Sequence, residues 1–195
     1  VGGKNIYTDS IPIGGSHVTN DIARGLSTSL AHAERLKTLH GSAISSNSDD
    51  KAMIEVPPLG EDDSDDPNML PRSMLVGVIR PRVEEIFEMV RSKIEMGGAA
   101  AMAGKRVVLT GGASQLPGVR EMAANILGKQ VRLGRPRAQP GLAEAVSGPA
   151  FATALGMVEY IVNKPMEEQM FDAYRHRGGL TAGFEKVVSW FRENF

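Results

Sequence analysis

The sequence predicts an α/β fold with a parallel or mixed sheet, and three observations lead there. Lys105 to Gly118, KRVVLTGGASQLPG, is a β-branched strand that stops at a glycine pair and turns into a helix. Asn5 to Gly25 repeats the plan, with an extended stretch, Gly14-Gly15 and then a helical spacing. Between and after them, strand-like and helix-like segments alternate, as α/β layering requires.

From the N-terminal end, Asn5 to Ile13 alternates apolar and polar residues and ends at Gly14-Gly15. The period then changes: Val18, Ile22 and Leu26 are four apart, with Ser16 as the expected N-cap and Gly25 near the stop. Ser29 to Leu39 reads as a second helix, capped by Ser27 or Thr28 and burying Leu30, Ala33 and Leu36. Its Glu34 and Lys37 stand three apart on one exposed face, a spacing that usually marks solvated surface charge. Gly41 to Asp50 is a small-polar loop, and Ala52 to Val56 a short strand that Pro57-Pro58 ends. Glu61 to Asp66 packs five carboxylates into six residues, too much self-repulsion for a packed element, and lacks the glycine and final Glu of an EF-hand loop.

Ser73 to Ile79 reads as the next strand, and Pro81 as the opening of a helix carrying Val83, Ile86, Phe87, Val90 and Ile94 up to Gly97-Gly98. Arg72, Arg80 and Arg82 gather where that strand would meet that helix. They serve either as solubilising charge or as a patch for an acidic partner. Val107 to Thr110 form the central strand, apolar or β-branched throughout and so expected to be buried on both faces. Gly111 and Gly112 leave no Cβ in a ligand's way, although a tight strand-to-helix connection needs the same residues. The helix expected from Leu116 to Gly118 onward offers open N–H groups to an anion or a polar ligand edge. Its inward face is Val119, Met122, Ala123, Ile126 and Leu127, with Gly128 as the stop; Gln130 to Leu133 is a further strand. Gly148-Pro149 opens a helix with Phe151, Leu155, Val158 and Val162, in which Ala150, Ala152, Ala154 and Gly156 permit close approach to a sheet.

Asn163 to Gly179 loses apolar periodicity and reads as a tether. The closing GFEKVVSWFRENF places Phe184, Val187, Val188, Phe191 and Phe195 in one stripe, with Trp190 at its edge and Lys186 and Arg192 towards the polar side. That is the pattern of a helix lying in a membrane interface; docking of the same face on the domain's own core is the competing arrangement.

Composition bounds the function classes. With 195 residues, 42% hydrophobic and 23% charged, the chain can bury a core, and its net charge of −1 gives no general case for nucleic acid. It has no cysteine, so no disulfide or thiolate metal site, which fits a reducing compartment. No apolar run approaches a membrane span, and no signal peptide is visible. The chain opens on Val1-Gly2-Gly3 without a Met, as though cut from something longer. No GxxxxGK[ST], GxGxxG, HExxH or GxSxG is present, and His17, His32, His40 and His176 lie far apart.

Six ordered blocks, IPIGGSHVTNDIARGL, AERLK, RPRVEEIFEMV, VVLTGGASQLPGV, GPAFATALGMVEY and SWFRENF, resemble the C-terminal half of the FtsA family, bacterial actin-like cell-division proteins. The resemblance implies an actin-like ATPase (RNase H-like) fold, incomplete at the N-terminus, with a small inserted α/β subdomain and a C-terminal amphipathic helix. Residues 1–26 and 95–140 would form the core of one lobe, 27–94 the small subdomain, 141–163 a return to the other lobe, 164–182 a linker and 183–195 the membrane-targeting helix. It further implies ATP with Mg²⁺ as cofactor. Gly111, Gly112, Ala113 and Ser114 would flank adenosine, Glu34 and Lys37 descend towards base and ribose, and Gly14 and Gly15 lie nearer the phosphates. Arg72, Arg80 and Arg82 would bind the C-terminal peptide of FtsZ. Self-association into actin-like filaments, inner-membrane lipids, other divisome proteins and a place at the septum, on the cytoplasmic face of the inner membrane, complete the implication, with at most weak ATPase activity in a full-length protein. The family's two phosphate loops, one of which positions Mg²⁺, precede the matched region, so this chain is expected to bind ATP poorly and hydrolyse nothing. A sugar or acetate kinase of the same superfamily and a nucleotide-independent membrane adaptor are the alternatives.

Overall fold

The computed structural model describes residues 7–59, 68–97, 104–137 and 146–163. The acidic run 61–66, the stretch from 164 expected as a tether and the helix expected from Phe184 to Phe195 lie outside these. Two units are distinguished, Val1–Ala152 and Thr153–Phe195. Helix α1 (Gly15–Gly25) is followed by α2 (Leu30–His40), strands β1 (Met53–Val56) and β2 (Asn68–Pro71), and the long helix α3 (Arg72–Met96). Strand β3 (Arg106–Leu109), a 3₁₀ turn at Gly112–Gln115, helix α4 (Val119–Leu127) and strand β4 (Gln130–Leu133) come next; a second 3₁₀ turn at Pro149–Phe151 leads into α5 (Ala152–Asn163). The mixture of helix and sheet agrees with the α/β class.

Among the described residues the sheets are two pairs. β1 runs antiparallel to β2, with Ile54 opposite Leu70, and β3 runs parallel to β4, with Val107 opposite Val131. Residues 7–13, expected as a strand, form none: alternation makes a segment extended, but a strand also needs a hydrogen-bonded neighbour, and no described strand pairs with it. β3 departs from the expectation of two dry faces, since Val108 is 51% exposed.

The largest correction concerns Ser73 to Ile79, which belongs to α3 rather than to a strand, while the strand is the preceding Asn68–Pro71. Leu75, Ile79, Val83 and Phe87 fall four apart and are all buried, so one apolar stripe runs straight through Pro81. Pro81 therefore sits inside the helix and does not open it. An internal proline costs about 3 kcal/mol, whereas burying four such side chains is worth roughly 6–12 kcal/mol gross. A strand would also have sent Val76, 1% exposed here, to the opposite face from Leu75 and Ile79.

One core joins α1, α2, β1, α3 and α4 through Ile22, Leu36, Val56, Leu75, Ile79, Val119 and Met122 among others. α1 packs on α2 and α3, and α3 on α4. Helix α2 starts one residue later than read, with Ser29 Oγ accepting from the His32 N–H at 3.2 Å, and Leu30 is 58% exposed rather than buried. Ser16 is not the cap of α1: Gly14 is, its N–H donating to His17 Nδ1 at 3.2 Å. The α4 face is as expected, with Val119, Met122 and Ala123 buried and Gly128 closing the helix at φ +60°. In α5 the Val158 and Val162 side chains are 55% and 73% exposed.

Candidate functional site

Both glycine turns sit at the start of a helical segment, and the fold brings them together. At the first, a Cβ added to Gly15 would stand 3.1 Å from the Ala113 Cβ of the second. At the second, Gly111 adopts φ +97° with open space where a side chain would project, and its N–H donates to the Pro149 carbonyl at 3.1 Å. Gly112 faces Ala150, 3.8 Å from a hypothetical Cβ. Ser114 is buried and its hydroxyl donates to the Gly111 carbonyl at 2.7 Å, which braces the turn. Gly118 takes φ +80° beneath Ile44, where a side chain would lie 2.6 Å from Ile44 Cγ1. With the Ala43 N–H donating to the Pro117 carbonyl at 2.8 Å, this ties the end of α2 to the turn before α4.

Glu34 and Lys37 come down from α2 onto α1. Lys37 Nζ donates to Glu34 Oε2 at 2.6 Å, to Thr19 Oγ1 at 2.8 Å and to the Gly15 carbonyl at 3.2 Å. Thr19 Oγ1 also reaches Glu34 Oε2 at 2.6 Å. Burial pushes the Glu34 carboxyl up, but the hydrogen bonds from Lys37 and Thr19 and the Lys37 charge outweigh it and hold the group below its ordinary value. The side chains are unequal in exposure, Lys37 at 15% and Glu34 at 55%. Gly14, Gly15, Ala113, Glu34 and Lys37 thus share one locality, to which the sequence reading did not assign Thr19. Its only signal there is a threonine on the buried side of α1.

The three arginines do not share a strand edge; all lie on α3, and each has a partner. Arg72 donates through Nε to the His40 carbonyl at 2.7 Å and through its terminal nitrogen to Asp49, which is 1% exposed. Arg82 pairs with Asp21 of α1 and, at 2.5 Å, with Glu85; the Asp21 hydrogen bond raises its already high pKa. Arg80 bonds Glu84 at 2.9 Å on the surface, with 52% of its side chain exposed.

A cleft of about 200 Å³ lies between α2 and β1, among His32, Arg35, Leu36, Leu39, Glu55 and Pro57. His32 Nδ1 is buried there without a hydrogen-bond partner. Among the described residues no three His, Cys, Asp or Glu gather as a metal site, and no helix is long and apolar enough to cross a membrane.

The geometry defines an α/β module in which two glycine turns meet beneath a helix carrying a lysine–carboxylate pair. The family model described as "Cell division protein FtsA" matches residues 1–156. Relatives named Cell division protein FtsA include one from Agrobacterium fabrum, 45% identical over 99% of this chain and 44% of that protein, and one from Rhizobium meliloti, 44% identical over the same shares. One from Escherichia coli K12 is 30% identical over 100% of this chain and 47% of its own length. The chain belongs to the FtsA family. It spans less than half the length of these relatives.

Proposed function

We propose that this chain is part of a cell-division adaptor with an actin-like fold, which binds ATP, docks FtsZ and attaches it to the cytoplasmic face of the inner membrane at the septum. The observation that carries the reading is the FtsA match, which runs along nearly the whole chain and includes both glycine turns and the α2 pair. In the nucleotide part of the reading, adenosine lies over Gly111, Gly112 and Ala113, and Gly14 and Gly15 face its phosphates. Two facts support this. Added Cβ atoms at Gly14 and Gly111 would meet open space, so a ligand has room against the backbone. Lys37 supplies a cation beside Gly15. ATP would bring the phosphate charge that Mg²⁺ neutralises, and this chain is assigned no Mg²⁺ ligand. In the full-length protein, nucleotide would govern self-association into filaments, and contacts with other divisome proteins would follow.

For FtsZ, the reading keeps the peptide site on α3 and divides the arginines by their partners. Arg80 is the one whose exposed ion pair a peptide carboxylate can replace, because that pair is worth only a few tenths of a kcal/mol. Arg72 holds a buried carboxylate and shapes the surface from beneath. Membrane attachment rests on Phe184, Val187, Val188, Trp190, Phe191 and Phe195, with Lys186 and Arg192 at the headgroups.

The test is liposome co-sedimentation of this chain beside a version ending at Gly183, with the FtsZ C-terminal peptide titrated into each by calorimetry. Sedimentation of the longer chain alone, with peptide bound by both, supports separate tether and docking surfaces. If neither sediments, the membrane role is lost.

A further inference from the structure

A lysine ammonium has three N–H donors, and Lys37 has committed all of them, to the Gly15 carbonyl, Thr19 and Glu34. Thr19 has one proton and two acceptors in reach, Glu34 Oε2 at 2.6 Å and the Gly15 carbonyl four residues back at 3.1 Å. The shorter bond to a charged oxygen is the stronger, so the proton goes to Glu34 while a lone pair of the same oxygen receives Lys37. A helical threonine ordinarily turns its hydroxyl back to the fourth preceding carbonyl. Here that carbonyl also receives Lys37, and the nearer, charged Glu34 oxygen draws the Thr19 proton, so one hydroxyl touches both charged side chains. Thr19 is 7% exposed, so its hydroxyl has little access to water while α1 and α2 stay packed.

We propose that Thr19 is a positioning residue of the nucleotide site, fixing the Glu34 carboxylate and the Lys37 ammonium above Gly15 and Ala113 so that adenosine meets a preset pair. The proposal rests on the nucleotide reading given above. It also sets the order of exchange. With every donor committed, Lys37 reaches a ligand only by surrendering a bond, and the one to the Gly15 carbonyl, at 3.2 Å, is the longest. The threonine keeps the other two in place, so binding frees the first turn of α1 without releasing α2.

The experiment compares the 195-residue chain with Thr19→Val, which keeps shape and loses the hydroxyl, and Thr19→Ser, which keeps the hydroxyl. Adenosine is titrated into each and followed by ¹H–¹⁵N NMR, and the Lys37 ammonium resonance is recorded in the absence of adenosine. The expected result is adenosine affinity within about twofold for Thr19→Ser and roughly tenfold weaker for Thr19→Val, the scale of one charge-assisted hydrogen bond. The Lys37 ammonium should be protected from exchange in the wild type and Thr19→Ser and unprotected in Thr19→Val. Equal affinity in wild type and Thr19→Val overturns the proposal while the nucleotide reading survives. Because weak binding is expected of this chain, adenosine is carried to large excess, and no shift at Gly111 to Ser114 or at Lys37 in the wild type under that condition sinks the nucleotide reading and the proposal with it. If Thr19→Val does not fold, Thr19→Ala replaces it, and an unprotected Lys37 in the wild type overturns the proposal without any variant.

Discussion

Arg72→Ala tests whether Arg72 is a scaffold residue of α3, apart from the docking role proposed for Arg80 on the same helix. Asp49 is 1% exposed, and its carboxylate has two neighbours, the Arg72 guanidinium and the Ser46 N–H at 2.7 Å. Removing one partner of a buried pair costs about 3–5 kcal/mol, because a charge is left without compensation. Two features adjust this figure. The Arg72 side chain is 24% exposed, so water reaches the vacated side and lowers the cost; the lost bond to the His40 carbonyl adds about 1 kcal/mol back. The expected loss is therefore about 2–4 kcal/mol, a large share of a typical 5–15 kcal/mol total. Urea denaturation of the wild type, Arg72→Ala, Asp49→Asn and the double variant measures it. Asp49→Asn keeps an acceptor for Ser46 and removes the charge, so the double variant should recover about 1–2 kcal/mol of the Arg72→Ala loss. A loss under about 1 kcal/mol, or strict additivity in the cycle, refutes the reasoning. So does an Arg72→Ala chain of wild-type stability that no longer binds the FtsZ peptide, for Arg72 would then be a contact residue.

Arg80→Ala should do the reverse, leaving the unfolding free energy from urea denaturation within about 0.5 kcal/mol while weakening the peptide in calorimetry; unchanged affinity removes Arg80 from the docking surface. The Glu34 carboxyl is depressed in the folded chain, so its contribution is complete above the ordinary value of 4.5 and disappears as pH falls through the lower folded value. Thermal midpoints of wild type and Glu34→Gln should accordingly differ at pH 7 and converge in the acid range below 4.5; parallel curves would show that the carboxylate is not engaged as drawn. At Gly41 an added Cβ would lie 2.3 Å from the Lys37 carbonyl and 2.9 Å from Leu116 Cδ1, a clash with backbone that no rotamer relieves. Gly41→Ala should cost on the order of 2–3 kcal/mol by chemical denaturation, and a silent substitution would contradict the packing of α2 on the 116–118 turn.

What the sequence disclosed and what it hid divide along physical lines. Features set by local period were legible: the inward face of α4, its stop at Gly128, the short β1, and the strands on either side of the second glycine turn. Ser73 to Ile79 misled because two local signals agreed on the wrong answer, a short apolar run with β-branched Val76, Val78 and Ile79 and a proline in the position of a helix start. The deciding term was the continuation of the 75–79–83–87 stripe beyond Pro81 into a shared core, which is tertiary. The arginines were misplaced for a related reason. Asp49 and Asp21 stand 23 and 61 residues from the arginines they pair with, and no window of sequence reveals such partners. Thr19 was hidden because its acceptor on Glu34 is 15 residues away across a helix–helix contact.

Two kinds of contact fasten α2 to the rest of the fold, and their chemistry assigns them different work. At its C-terminal end, Gly41 and Ile44 pack on Leu116 and Gly118 with almost no clearance, and the Ala43 N–H bonds the Pro117 carbonyl. Parting these surfaces would expose apolar area and leave backbone groups unpaired, with nothing gained in exchange. One turn earlier, Lys37 meets Gly15 and Thr19 through hydrogen bonds, beside a Glu34 that is half in water. Those bonds can be traded one for one with a ligand's oxygens and nitrogens, because the donors and acceptors remain satisfied throughout. A ligand above the glycine turns would therefore act on the polar edge of α2 while the packed edge holds register, so that binding alters the contact between α1 and α2 without dissolving the core that both helices share.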